Sequence, residues 1–173
     1  MNQKVLIGGG SGLVGKRLTE ILESKGYQVS LLSRNERKDS GTPTIVWDVA
    51  NQKLDPKAIE EFDFIINLTG AGIVDEPWTE ERKKVISESR VNSTKLLAKA
   101  ISSNFRKPIS FVSASAVGYY GFVTSEHIFK EDDKAGNDFL ADTCVQWEKS
   151  TDAIKNLGVP TALIRIGIVL DKG

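Results

Sequence analysis

The octapeptide GGGSGLVG, residues 8–15, closes the apolar run KVLIG (4–8) near the start of the chain. Gly9, Gly12 and Gly15 fall in the pattern G-x-x-G-x-x-G, and Val14, Leu18, Ile21 and Leu22 then share one helical face that Gly26 ends. A strand that turns through glycines into a helix constrains the fold more than any other feature here. One glycine allows a tight turn, one lets backbone approach a pyrophosphate, and one lets the helix pack closely on the strand. Glycine-rich loops also serve as plain turns, but this one stands between a strand and a periodic helix, where dinucleotide binding is expected.

The remaining chain repeats that alternation. QVSLLS (28–33), TIVWD (44–48), FDFIINLTG (62–70), PISFVSAS (108–115) and VPTALIRIGIVL (159–170) read as further strands. Thr79 can cap a long helix running to about Ile101, with Leu96, Leu97, Ala100 and Ile101 facing inward. Asn137 or Asp138 opens another helix, which carries Leu140, Cys144, Trp147, Thr151 and Ile154 on its apolar side and closes at Gly158. Strands alternating with helices predict an α/β fold, a doubly wound parallel sheet covered on both faces. Ligands of such sheets bind beyond the carboxyl ends of the strands, where strand order reverses.

A chain of 173 residues is long enough for one domain with a real core. Its 23 basic and 23 acidic residues balance without long blocks, so neither nucleic acid nor a membrane surface is an expected partner. The single cysteine excludes an internal disulfide, fits a reducing compartment, and has the spacing of a helix-core residue. One cysteine and one histidine argue against a zinc site, and no metal is expected. MNQK runs straight into VLI, so no signal peptide is expected, and no apolar stretch reaches membrane-spanning length. A cytoplasmic location is expected.

The second strand bears on which dinucleotide is held. An NAD site usually places a carboxylate about 20 residues beyond the loop to bind the ribose hydroxyls. This chain instead reads LLSRNERK, with Ser33 and Arg34 at the strand end and Arg37 and Lys38 behind. A guanidinium pairs with the extra phosphate of NADP, which a carboxylate would repel, so NADP(H) is expected over NAD(H). The alternative is a solvated run of surface charge.

GGGSGLVG, INLTGAG, RVNSTKLL and SASAVGYYG together resemble the extended short-chain dehydrogenase/reductases. PWTEERKKVISESR, DFLADTCVQWE and RIGIVL narrow the resemblance to the atypical epimerase-family branch, over essentially the whole chain. The resemblance implies a Rossmann-type fold of three layers with strand order 3-2-1-4-5-6. It places cofactor-contacting backbone at Gly9, Ser11, Gly12, Leu13 and Val14, and Asp48 near the adenine, where a strand-end turn residue is the alternative. It sets Leu68, Thr69 and Gly70 near the adenosine ribose and phosphates, with Ser113 and Ala114 on the nicotinamide side. Extended members add a smaller substrate lobe after strand six, so this chain is expected to represent the cofactor half. A homodimer is left open.

The wider class uses a tyrosine and, four residues later, a lysine that stabilises the phenolate. Here the two slots hold Leu140 and Cys144, and no Y-x-x-x-K occurs beyond Tyr27, Tyr119 or Tyr120 either. The family's asparagine slot holds Arg90, which could hold an anionic substrate or simply pair with Glu88 or Glu81. The serine slot is Ser115, or with less support Ser113. Ser115 could donate a hydrogen bond to substrate or merely end a strand. Tyr119 and Tyr120 lie on the loop at the ligand end of the sheet, where either could face substrate. Asp138 and Glu148 are further polar candidates, Glu148 as a buried acid or a salt-bridge partner. His127 reads as an exposed loop residue. Two functions follow: an NADP(H)-dependent epimerase or oxidoreductase acting on a small metabolite, or an NADP(H)-holding sensor without turnover.

Overall fold

The computed structural model describes residues 3–36 and 41–170. Six strands form one sheet in the order β3-β2-β1-β4-β5-β6, every pairing parallel. They are β1 (Lys4–Gly8), β2 (Gln28–Ser33), β3 (Thr44–Val46), β4 (Phe64–Asn67), β5 (Ser110–Ala116) and β6 (Thr161–Ile166). The helices are α1 (Leu13–Ser24), α2 (Glu80–Ser103), α3 (Phe139–Ser150) and the short α4 (Asp152–Lys155). Rossmann-type topology therefore holds as the sequence predicts.

Side-chain alternation along the central strands divides the core in two. Val5, Ile7, Val29 and Leu31 pack with Leu18 and Leu22 of α1 on one face. Leu6, Leu32, Ile65 and Phe111 pack with Leu96, Leu97 and Ile101 of α2 and Ile154 of α4 on the other. The second cluster is the larger, and its Phe111, Leu97 and Ile154 are wholly buried. On the α1 side, cover thins toward the β6 edge, where Ile164 stays 49% exposed. No described helix is long and apolar enough to cross a membrane.

The expected caps form. The Thr79 side chain accepts the Arg82 amide ahead of α2, and Asp138 accepts the Ala141 amide ahead of α3. Several boundaries differ from expectation, among them β4, which keeps only Phe64–Asn67 of the expected 62–70. β3 ends at Val46 rather than residue 48, because Asp48 leaves the ladder for an isolated antiparallel bridge with Lys53. β6 ends at Ile166, short of residue 170. The helix expected from Asn137 or Asp138 to Gly158 breaks at Thr151 into α3 and α4, where the backbone tightens to a Thr151 N–H to Glu148 carbonyl bond. The side chains of Ser150 and Thr151 also donate to the carbonyls of Trp147 and Glu148, the local competition that bends helices.

Candidate cofactor and substrate site

Strand order reverses between β1 and β4, so the crevice lies where Gly8 and Asn67 end their strands. The Leu68 amide donates to the Gly8 carbonyl at 2.8 Å, which lays residues 68–70 against the glycine corner. Gly9 turns at φ +78°, and a Cβ there would meet the Leu68 backbone at 2.7 Å. A Cβ on Gly15 would lie 2.4 Å from the Gly9 carbonyl oxygen, so helix and loop touch through hydrogen alone. Gly12 is different. It caps α1 at φ −75° without any side-chain cap, and its Cβ would meet nothing nearer than 3.5 Å. No acidic side chain occupies the first turn of α1.

These features fit a diphosphate. The Leu13 and Val14 amides open a helix with no intrahelical acceptor and no side-chain cap, an arrangement that favours a bound anion. Thr69 Oγ1 is fully buried beside Gly8 without a partner among the described residues. Asn67 sets this loop: its Oδ1 accepts the Thr69 amide, and its Nδ2 donates to Ser93 and Thr94 of α2. Asn67 is wholly buried and was not singled out from sequence, although a lone amide closing an apolar strand was a signal.

The register pairs Gly8 with Leu32, which sets Ser33 and Arg34 beside the glycine corner. Arg34 is exposed and makes no ion pair among the described residues. Arg37 and Lys38 lie outside the described residues. Asp48 lies further out, beyond β3. Its carboxylate accepts both the side chain and the amide of Asn51, and these bonds hold it below the usual carboxylate range. Asp48 thus organises a turn, whatever else it meets. Ser113 pairs in register with Asn67, and both it and Ala114 are buried in β5.

A second constellation lies at the carboxyl end of β5, between that strand, α3 and β6. Ser115 Oγ donates to Glu148 Oε1 at 2.6 Å. Glu148 in turn receives Arg165 Nε at 2.8 Å and Nη2 at 2.9 Å, a two-point fork. Burial pushes the Glu148 carboxyl up, yet the bonds from Arg165 and Ser115 outweigh it and hold the group below its ordinary value. Arg165 also donates to Tyr120 Oη at 2.8 Å and lies 3.4 Å from the Tyr119 ring centroid. Tyr120 passes its own hydrogen to the Lys130 carbonyl, whereas the Tyr119 hydroxyl has no partner among the described residues. Arg165 escaped the sequence reading, although a single charge inside TALIRIGIVL was a visible anomaly.

Arg90 pairs with neither Glu88 nor Glu81, the alternative raised for it from the sequence. The residue is 8% exposed, donates Nη1 to the Ile86 carbonyl at 2.7 Å, and stacks 5.2 Å from the Trp147 ring. Leu140 and Cys144 do occupy α3 at the slots noted from sequence, Cys144 buried at 4% with its thiol pushed up by burial. Asp138 pins the loop after β5 as well as capping α3, since it accepts the Phe122 amide at 2.6 Å. His127 is exposed and contacts Asp133 at 2.8 Å.

The model of the NAD dependent epimerase/dehydratase family matches residues 5–142, and the chain belongs to that family. Epimerase family protein YfhF of Bacillus subtilis is 36% identical over 168 residues, covering 95% of this chain and 55% of that protein. Among solved structures, the nucleoside-diphosphate sugar epimerase of Corynebacterium glutamicum superposes with a TM-score of 0.82 at 34% identity, over 99% of this chain and 35% of that one. Human epimerase family protein SDR39U1, solved with NADPH, gives a TM-score of 0.79 at 29% identity, over 99% and 56%. The chain spans about half the length of the curated relatives it matches.

Proposed function

We propose that this chain binds NADP(H) and serves an epimerase or oxidoreductase reaction on a small metabolite, not on nucleic acid or at a membrane. The observation that carries the reading is the glycine corner, sealed against Leu68 and opening onto the uncapped start of α1. Gly9, Ser11, Gly12, Leu13 and Val14 would hold the diphosphate, with Thr69 Oγ1 as a further donor. Arg34, exposed at the tip of β2, would take the additional phosphate. The NADPH in the human relative supports a nicotinamide dinucleotide in this family, and Arg34 is this chain's own argument for the phosphorylated form.

A bound nicotinamide supplies the hydride chemistry. The chain's residues must then hold substrate and move protons without a tyrosine–lysine pair. Ser115 has committed its hydrogen to Glu148, so its Oγ is left as an acceptor for a substrate hydroxyl. Glu148, kept ionised by Arg165, is the group to which a proton entering at Ser115 would pass. Tyr119 has the hydroxyl that is not already spent.

The second reading, an NADP(H)-holding sensor without turnover, is favoured by Leu140 and Cys144 at the usual proton-transfer slots. The two separate in one assay. NADPH-loaded protein is incubated with sugar nucleotides, aldehydes and quinones while nicotinamide absorbance and substrate isomers are followed. Conversion of any class supports the enzyme, and a blank across all three supports the sensor.

A further inference from the structure

Two arginines stand near the Ser115–Cys144 face, and they are not in the same electrostatic condition. Arg165 spends its Nε–Nη2 edge on both oxygens of Glu148. Arg90 is the more deeply buried of the two, at 8% exposure, and only its Nη1 has a hydrogen-bond acceptor. Its Nε and Nη2, the edge with which Arg165 grips a carboxylate, meet none among the described residues. Nor is that edge sealed: among the described residues the fully buried polar atoms without partners are Thr69 Oγ1, Arg82 Nε and Trp147 Nε1, and neither Arg90 atom is among them.

Among the described residues no carboxylate pairs with Arg90. Cys144 and Arg82 are the titratable groups acting on Arg90; the first is a thiol kept neutral by burial, and the second is a cation already bound to Asp75 and Glu76. A guanidinium held out of water without a counter-ion is costly, and the Trp147 ring offsets only part of that. The position is nevertheless built. Gly70 lies over the guanidinium, where a Cβ would come within 2.9 Å of Cζ, 3.1 Å of Nη2 and 3.2 Å of Nε. The loop carrying Gly70 is tied on both sides, by Thr69 N–H to Asn67 and by Ala71 N–H to Ser89 Oγ. Any side chain at position 70 would collide with the Nε–Nη2 edge, and Gly70 itself is exposed at the mouth of the crevice.

We infer that the Nε–Nη2 edge of Arg90 is the subsite for a carboxylate of the substrate, so that the metabolite is an anion. This rests on the proposed cofactor reading, since it places the anion beside the same β4 loop. The geometry asks for two coplanar oxygens, which a carboxylate presents and an alcohol or ketone does not. A lysine in the same place would keep the charge and lose the fork.

The test uses the wild-type chain with uniformly labelled nitrogen. The Arg90 Nε–H resonance is assigned from its disappearance in Arg90→Lys, then followed through titration with malonate, inorganic phosphate and neutral acetone, each with and without NADPH. A saturable downfield shift with malonate in the NADPH-loaded protein, absent with acetone, is the expected result, with affinity for malonate falling at least about tenfold in Arg90→Lys. Should the Arg90→Lys chain fail to fold, the resonance is assigned in the wild type from its nuclear Overhauser contacts to the Trp147 ring, and the wild-type shifts still decide. An unmoved resonance under every anion overturns the inference. So does a full shift on NADPH alone, because the edge then belongs to the cofactor. A larger response to phosphate than to malonate overturns the carboxylate assignment. If NADPH itself leaves the glycine-loop amides unmoved while malonate shifts Arg90, the cofactor reading has failed and the anion subsite has not.

Discussion

Glu148 on α3 grips Arg165 on β6 through both carboxylate oxygens, Oε1 to Nε at 2.8 Å and Oε2 to Nη2 at 2.9 Å. Their side chains are only 11% and 17% exposed. The pair bolts the edge strand to the helix layer and, through Ser115 and Tyr120, joins the end of β5 to the following loop. Removing the carboxylate charge leaves a guanidinium poorly compensated, so Glu148→Gln should lower unfolding free energy by about 3 kcal/mol. Urea denaturation at neutral pH measures it. A loss indistinguishable from zero would show that the pair does not hold the edge.

The same pair predicts a pH dependence. The carboxyl is depressed below its ordinary value of 4.5 in the folded chain, so its contribution is fully present above that pH. It is lost as pH falls through the lower folded value. The stability gap between wild type and Glu148→Gln should therefore narrow on acidification below pH 4.5 and hold constant between pH 6 and 8. A gap unchanged down to pH 3 contradicts the assignment.

Gly9 and Gly12 should part company when mutated. Gly9→Ala forces a side chain into a positive-φ position against the Leu68 backbone, and should cost stability and NADPH binding together. Gly12→Ala finds ordinary space and an accessible φ, so stability should change by less than about 0.5 kcal/mol. Its added methyl stands where the diphosphate must approach, and NADPH affinity should fall about tenfold or more. Thermal melts with and without NADPH separate the two. Unchanged NADPH affinity in Gly12→Ala removes the close approach.

Asp138 carries two jobs on one carboxylate, the α3 cap through Oδ1 and the Phe122 amide through Oδ2. Asp138→Ala should cost about 1–2 kcal/mol, within the usual range for a lost cap. Asp138→Asn should recover part of it, since an amide oxygen still caps. Equal losses for both variants would mean that charge, not capping, dominates.

Much of the architecture was legible because local and tertiary demands agree. Thr79 and Asp138 cap the helices they were expected to open, and apolar runs became the parallel strands of a two-sided core. The glycine corner was legible for the same reason, Gly9 and Gly15 meeting contacts that only hydrogen allows and Gly12 leaving the start of α1 open. What escaped depends on partners far apart in sequence. Arg165 finds Glu148 across 17 residues and Tyr120 across 45, and nothing in TALIRIGIVL says which carboxylate will face it. For Arg90 the sequence leaves open a pairing with Glu88 or Glu81 on its own helix, but its side chain turns inward onto Trp147 of another helix. The break at Thr151 reflects hydroxyl competition for helix carbonyls that apolar periodicity does not register.

The most direct test of the account titrates NADPH and NADH into the same protein by calorimetry, then repeats both with Arg34→Glu. Wild type should bind NADPH at least about tenfold tighter than NADH, and the substitution should abolish or invert that preference, because a carboxylate repels the added phosphate. Equal affinities in the wild type would strip Arg34 of its role, and no heat with either nucleotide would empty the glycine corner of its proposed ligand.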